Sequence, residues 1–219
     1  MAETFEPKLA TLPAAQRELW PSLGPAPGLS YVLYGGTAIA LRLGHRTSVD
    51  FDFFRTGPLD KAELLTSFPF LRDAQTIQES SNTWVVNVAT PSGAVKVSFF
   101  GSMTIGRINE PALTADSTLL VASPEDLLAT KLKAILDRAE AKDYRDISAL
   151  LAAGVSLEQG LGGFAAMFKK DPALPLKAIG YFRDGDLPSL PQTDQTRLRQ
   201  ARDKVKEVPK IHIADGSLA

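Results

Sequence analysis

The sequence predicts an α+β fold, a mixed sheet flanked by helices with a C-terminal helical lobe, and three observations carry that expectation. A short β-rich run, SYVLY (Ser30–Tyr34), meets Gly35-Gly36 and then TAIALRLG (Thr37–Gly44), a stretch of helix formers closed by glycine. In VDFDFF, Val49, Phe51 and Phe53 alternate with Asp50 and Asp52, the period of two that marks a strand. From Ser123 onward the pattern is mostly helical. The expected division is therefore residues 1–122, an N-terminal helix and the core sheet, and residues 123–219, a helical lobe.

Taken in order, Leu9, Leu12, Leu19 and Trp20 suggest a helix over residues 7–20, stopped by the Pro/Gly-rich linker PSLGPAPG. The strand, glycine turn and helix of residues 30–44 come next, then the Asp-bearing strand. A helix is expected over Leu59–Leu71, with Pro69 disturbing its end. TWVVNVAT and AVKVSFF flank Pro91-Ser92-Gly93 and read as a hairpin extending the same sheet, and Leu119–Ala122 as an edge strand. Ser123-Pro124-Glu125-Asp126 supplies an N-cap, a proline for the first turn and acids at the positive end of the helix dipole. Leu127, Leu128, Leu132, Ile135 and Leu136 form the apolar face of that helix, and Asp143–Leu151 continue or restart it until Gly154. Further helices are expected over Leu157–Lys169, Pro175–Phe182 and Gln195–Val208.

Composition narrows the function classes. Hydrophobic residues make up 44% of the 219 and charged ones 22%, and 24 Lys and Arg nearly balance 25 Asp and Glu. Disorder, collagen and coiled coil do not fit those proportions, and no apolar run approaches a membrane span. With no cysteine, thiolate catalysis and cysteine zinc sites are excluded, and two distant histidines, His45 and His212, make a poor zinc site. The first twenty residues lack the basic and apolar segments of a secretory signal, so a cytoplasmic location is expected. A net charge of -1 means that any nucleic-acid contact must come from a local patch. The helix expected over Gln195–Val208 offers one, with Arg199, Arg202 and Lys206 on a stripe opposite Leu198, Ala201, Val205 and Val208. A solvated face explains it somewhat better than RNA phosphates do, since amphipathic helices commonly carry such faces for solubility.

Chemistry concentrates where Gly35-Gly36-Thr37 opens a helix and, thirteen residues on, Asp50-Phe51-Asp52 lies on a strand. A helix N-terminus presents N–H groups without intrahelical partners, and two glycines let a phosphate approach the backbone. Asp50 and Asp52 share one face of their strand, roughly 6.5 Å apart, and offer the oxygen ligands that Mg²⁺ prefers. They could instead pair with Arg42 or Arg46. Because flanking Val49, Phe51, Phe53 and Phe54 make this a core strand, two like charges there favour a metal.

YGGTAIALRLGHRTSVDFDFF resembles the opening motif of the AbiEii/AbiGii toxin family, nucleotidyltransferases of the DNA polymerase β superfamily found in type IV and related toxin–antitoxin systems. KLKAILDRAEAKDYRDISALL resembles its closing motif. The resemblance implies a polymerase-β-like fold whose helical lobe completes the active site, Mg²⁺ as cofactor, an NTP as substrate and nucleotide transfer, in some members to the acceptor end of tRNA. It further implies a cognate antitoxin and no membrane partner. Carried over by residue, it implies that Gly35, Gly36 and Thr37 contact phosphate, that Asp50 and Asp52 hold the metal and that Lys131 binds the nucleotide's phosphates. Asp143 and Asp146 would complete the catalytic set.

On the helix surface Lys133 can pair with Asp137, whereas Lys131 and Arg138 lie on another face and are expected to be free for phosphate. Snorkelling on a solvated face is the alternative. The strand AVKVSFF carries Ser98 where polymerase-β-like enzymes commonly place a third carboxylate, so the general base is sought elsewhere, with Asp143 the candidate. The missing acid keeps two other readings open: a non-catalytic nucleotide-binding or protein-interaction module, or transfer to a small molecule or protein.

Overall fold

The computed structural model describes residues 3–214 and 217–219, and the chain divides into two compact units. The first takes in the chain up to Gly106, Glu110–Ala122 and the described end of the tail; the second is Arg107–Asn109 with Ser123–Ala214.

In the first unit the elements are β1 (Thr4–Phe5), α1 (Ala14–Leu19), β2 (Val32–Tyr34), α2 (Gly35–Leu43), β3 (Asp50–Phe54) and α3 (Lys61–Ser67), followed by β4 (Gln75–Ser80), β5 (Thr83–Thr90), β6 (Gly93–Phe100), β7 (Ala112–Thr114) and β8 (Leu120–Val121). They form one eight-stranded mixed sheet in the order β1-β7-β8-β2-β3-β6-β5-β4. β3 runs antiparallel to β2 and parallel to β6. Because side chains alternate along β3, Phe51 and Phe53 go fully into the core while Asp50, Asp52 and Phe54 share the half-exposed face. Phe53 stacks on Phe99 of β6 with ring centroids 5.4 Å apart, and Tyr31 meets Phe99 edge-on at 5.3 Å. This aromatic layer fixes the strand that carries the carboxylates.

Several boundaries differ from expectation, each for a local reason. The helix expected over residues 7–20 is only α1, between 3-10 turns at Leu9–Thr11 and Trp20–Leu23, because Pro13 and Pro21 bracket it. The stretch expected as a linker places Leu23 and Ala26 in the core. α3 starts where the Asp60 side chain accepts a hydrogen bond from the Glu63 N–H at 3.0 Å and stops ahead of Pro69, which opens a 3-10 turn. β8 is no edge strand, since β7 pairs on its outer side. β1, β4 and β7 escaped the sequence reading: β1 and β7 are too short to show a period, and β4 is exposed throughout.

The second unit is helical: α4 (Pro124–Asp137), α5 (Ala141–Ala152), α6 (Leu157–Phe168), α7 (Ala173–Ala178) and α8 (Gln192–Lys204). α4 packs against α5, α6 and α7. α4 and α5 are separate because Arg138 is fully extended. α7 lies earlier than expected, and α8 starts directly after Pro191 and ends where Val205 turns extended, so Val205 and Val208 are not part of a helical stripe. Leu198 is the residue of α8 that is fully buried. Among the described residues no helix is long and apolar enough to cross a membrane.

The start of α4 is clamped. The Ser123 hydroxyl accepts the Asp126 N–H at 3.1 Å and donates to the Asp126 carboxylate, which also accepts the N–H groups of Ile108 at 2.7 Å and Asn109 at 3.3 Å. Burial pushes the Asp126 carboxyl above its usual range against these hydrogen bonds. Replacing Ser123 by alanine removes both the cap and one donor to that carboxylate. Urea denaturation of the variant is expected to show a loss of about 1–2 kcal/mol.

Candidate active site

Gly35 follows β2 with φ of +76°, a conformation that costs any other L-residue about 1–2 kcal/mol. A Cβ there would also lie 2.7 Å from Oδ2 of Asp52. The antiparallel register that pairs Tyr34 with Asp52 creates this closeness: it brings the carboxylate against the turn that opens α2. A Cβ on Gly36 would collide with the Arg46 guanidinium and stand 3.0 Å from Ser48 Oγ. Gly35 is required by its φ, whereas a Cβ at Gly36 would only push the flexible Arg46 guanidinium aside, and the turn's backbone lies directly beside a carboxylate and that guanidinium.

Asp50 and Asp52 do share one face of β3. Their register partners on β6 are Lys96 and Ser98. Lys96 Nζ lies 3.0 Å from Asp50 Oδ2, an ion pair the sequence reading missed, although the period of two puts Lys96 on the same face as Ser98. Ser98 itself is buried beside Asp52. Arg42 donates to the carbonyls of Val121 and Ala122, both at 2.9 Å, and stacks over the Phe5 ring. Among the described residues no cluster of three or more His, Cys, Asp or Glu side chains suited to a metal occurs. The donor set at β3 is a pair of carboxylates, half-exposed and reachable.

Thr37 is buried and its hydroxyl donates to the Asp50 carbonyl, tying the first turn of α2 to the start of β3.

In the second unit the expectation that Lys131 and Arg138 are unpartnered is corrected. Lys131 is buried, with Nζ 2.6 Å from Asp143 Oδ1 and 2.7 Å from Asp146 Oδ2. Arg138 donates through Nε to Asp143 Oδ2 at 2.7 Å. The helix-surface argument compared only neighbours on α4, and the partners come from α5. Lys133 pairs with Asp137 as expected. Burial alone would raise the Asp143 carboxyl, but the Arg138 hydrogen bond and the Lys131 charge outweigh it and hold the group below its usual range. Asp143 thus has no exposed surface and two cations on it.

A glycine turn opens a helix beside an Asp-x-Asp strand on this mixed sheet, the arrangement that the resemblance to nucleotidyltransferases implies. The family described as nucleotidyl transferase AbiEii toxin, type IV TA system, matches residues 25–210, and the chain belongs to it. An uncharacterized protein, aq_aa25 of Aquifex aeolicus (strain VF5), is 28% identical over 162 residues, spanning 70% of this chain and 74% of its own length. The fold is similar to that of MenT4, a nucleotidyltransferase toxin from Mycobacterium tuberculosis H37Rv, with a TM-score of 0.57 and 18% identity over 84% of this chain and 82% of that one. It is also similar to the antibiotic-resistance factor ANT(2'')-Ia, with a TM-score of 0.50 and 15% identity over 70% of this chain and 91% of that one. The protein is thus a nucleotidyltransferase of the polymerase-β-like fold.

The two lysines of α4 should behave oppositely on removal. Lys131→Ala leaves two buried carboxylates without their shared cation and is expected to cost about 3–5 kcal/mol in urea denaturation, whereas Lys133→Ala breaks a helix-surface pair worth roughly 0.5 kcal/mol or less.

Acid should act through Asp143. Its folded-state pKa lies below the unfolded value, so its stabilising contribution is complete above the ordinary carboxylate pKa near ~4 and is lost as pH falls through the lowered one. Melting temperatures measured between about pH 6 and pH 2 should fall more steeply for the wild type than for Asp143→Asn, which has no proton to take up there.

Proposed function

We propose that this chain uses Mg²⁺ to transfer a nucleotide from an NTP to an acceptor hydroxyl at the acceptor end of tRNA, as a toxin restrained by a cognate antitoxin. The observation that carries the reading is the placement of Asp50 and Asp52 on one face of β3, with Asp52 against the Gly35 turn at the N-terminus of α2. The carboxylate oxygens fit a hard divalent cation, and the half-exposed face gives it access. When bound there, Mg²⁺ would neutralise triphosphate charge and polarise the phosphoryl oxygens.

The remaining work falls to the chain's own groups. The backbone of Gly35 and Gly36 cradles phosphate oxygens through the open N–H groups and positive dipole end of α2. Arg46, packed on Gly36, stands beside that cradle. The acceptor oxygen forms a bond to the α-phosphorus as the bond to the β-phosphate oxygen breaks and pyrophosphate leaves in line. The hydroxyl proton passes to solvent water on this half-exposed face, since a carboxylate that holds the cation is a poor proton acceptor. Most of the acceleration comes from orientation and charge stabilisation, since little covalent chemistry is required of the protein.

The buried Lys131, Asp143, Asp146 and Arg138 set is read as a brace that locks α5 onto α4, because its charges satisfy one another. The tRNA acceptor rests on the family resemblance and on the basic residues of α8, of which Arg199 lies over the Phe182 ring and Arg202 pairs with Asp203. Incubation with each α-labelled NTP, Mg²⁺ and total deacylated tRNA is expected to label the tRNA. Label that stays in free nucleotide under every combination overturns the assignment. Asp52→Asn should lower the transfer rate by roughly 100-fold or more while far-UV circular dichroism stays unchanged, and near-wild-type turnover would remove Asp52 from the mechanism.

A further inference from the structure

We propose that Lys96 is the resident counter-ion of Asp50, holding that carboxylate before substrate arrives and passing its ammonium to the triphosphate when the metal enters with the nucleotide. The inference rests on the metal reading of Asp50 and Asp52, and concerns how that site is kept before it is filled.

Three observations support it. Lys96 is the register partner of Asp50 on the adjacent parallel strand, so the sheet itself, and not a chance side-chain conformation, keeps the two together. On its other side the register partner is Asn87 of β5, a neutral amide, and the ion pair of Lys96 is the one with Asp50, at 3.0 Å. The pair is open to solvent, with 43% of the lysine side chain and 33% of the aspartate exposed. An ion pair this exposed is weakly held and exchanges readily, unlike the buried pairs of Lys131.

The consequence follows from charge. Without a cation on Asp50 its charge adds to the repulsion across the strand face, and the Lys96 ammonium offsets it. A free divalent cation entering alone must displace Lys96 or sit beside it, which lowers its affinity. A metal that arrives on a triphosphate brings several negative charges within reach of the long, flexible lysine stem, so Lys96 loses one carboxylate and gains phosphate oxygens. Metal entry is thereby coupled to nucleotide entry, and the unliganded protein does not hold a bare divalent ion tightly.

The test uses Mn²⁺ as the probe, followed by electron paramagnetic resonance without nucleotide, and calorimetric titration of a non-hydrolysable NTP analogue with Mg²⁺. Lys96→Met and Lys96→Gln should each bind Mn²⁺ alone about tenfold tighter than wild type and the Mg²⁺–analogue about tenfold more weakly, and Lys96→Arg should stay near wild type in both. An unchanged Mn²⁺ affinity, or shifts of both affinities in the same direction, overturns the role of Lys96. An Asp50→Asn, Asp52→Asn double variant that binds the Mg²⁺–analogue as wild type does overturns the metal reading itself, a result separable from the first because it needs no lysine variant.

Discussion

The pairing of Tyr34 with Asp52 across β2 and β3 is the constraint on which the first unit's site depends. Strand register is discrete. A slip of one residue would turn Asp50 and Asp52 into the core and expose Phe51 and Phe53 in their place, so the aromatic layer that stabilises the sheet also sets the orientation of the carboxylates. The same register places Asp52 within van der Waals reach of Gly35, which only glycine permits at that φ, and the Thr37 hydroxyl ties α2 back to Asp50. Helix N-terminus and acidic pair are thus one mechanical object, assembled by β2, the turn and β3. Packing energy and chemical placement have the same source.

Charge is handled differently in the two units. On β3 the acidic residues are half-exposed and Asp50 pairs with a solvent-accessible Lys96, so that pair is cheap to hold and easy to exchange. In the second unit Lys131, Asp143 and Asp146 are buried together, with Arg138 closing the set from the surface. Taking such groups out of water is costly, and the cost is offset only because each carboxylate finds a cation and good hydrogen-bond geometry. An open pair suits a site that must accept an incoming charged ligand. A closed network suits a joint, and here the joint fastens α5 to α4. The lowered Asp143 pKa is a property of that joint, produced by its two cations against the pull of burial.

Much was legible in the amino-acid sequence because local rules are strong there. The period of two in VDFDFF, the glycine pair before a run of helix formers and the Ser-Pro-Glu-Asp cap each report a backbone choice made within a few residues, and β3, α2 and α4 appear where those signals lie. The family resemblance likewise rested on contiguous blocks, both of which fall within the residues matched by the family. The absence of cysteine and the even charge balance bounded the chemistry before any fold was known.

Tertiary structure decided the partners. Periodicity on α4 showed correctly that Lys133 meets Asp137, but it could not show that α5 would deliver two carboxylates to Lys131, because contacts between helices depend on packing and not on spacing along one of them. Nor could it show that Thr37 would turn inward to a backbone carbonyl, or that Lys96 would face Asp50, since strand order in a sheet is set by which edges pair in space. Residue type and local period determined which groups were available for chemistry. Which of them are neutralised by one another and which stay open to a ligand was decided only when strands and helices far apart in the chain came together, because electrostatic and steric contacts act across space and carry no signature in local sequence.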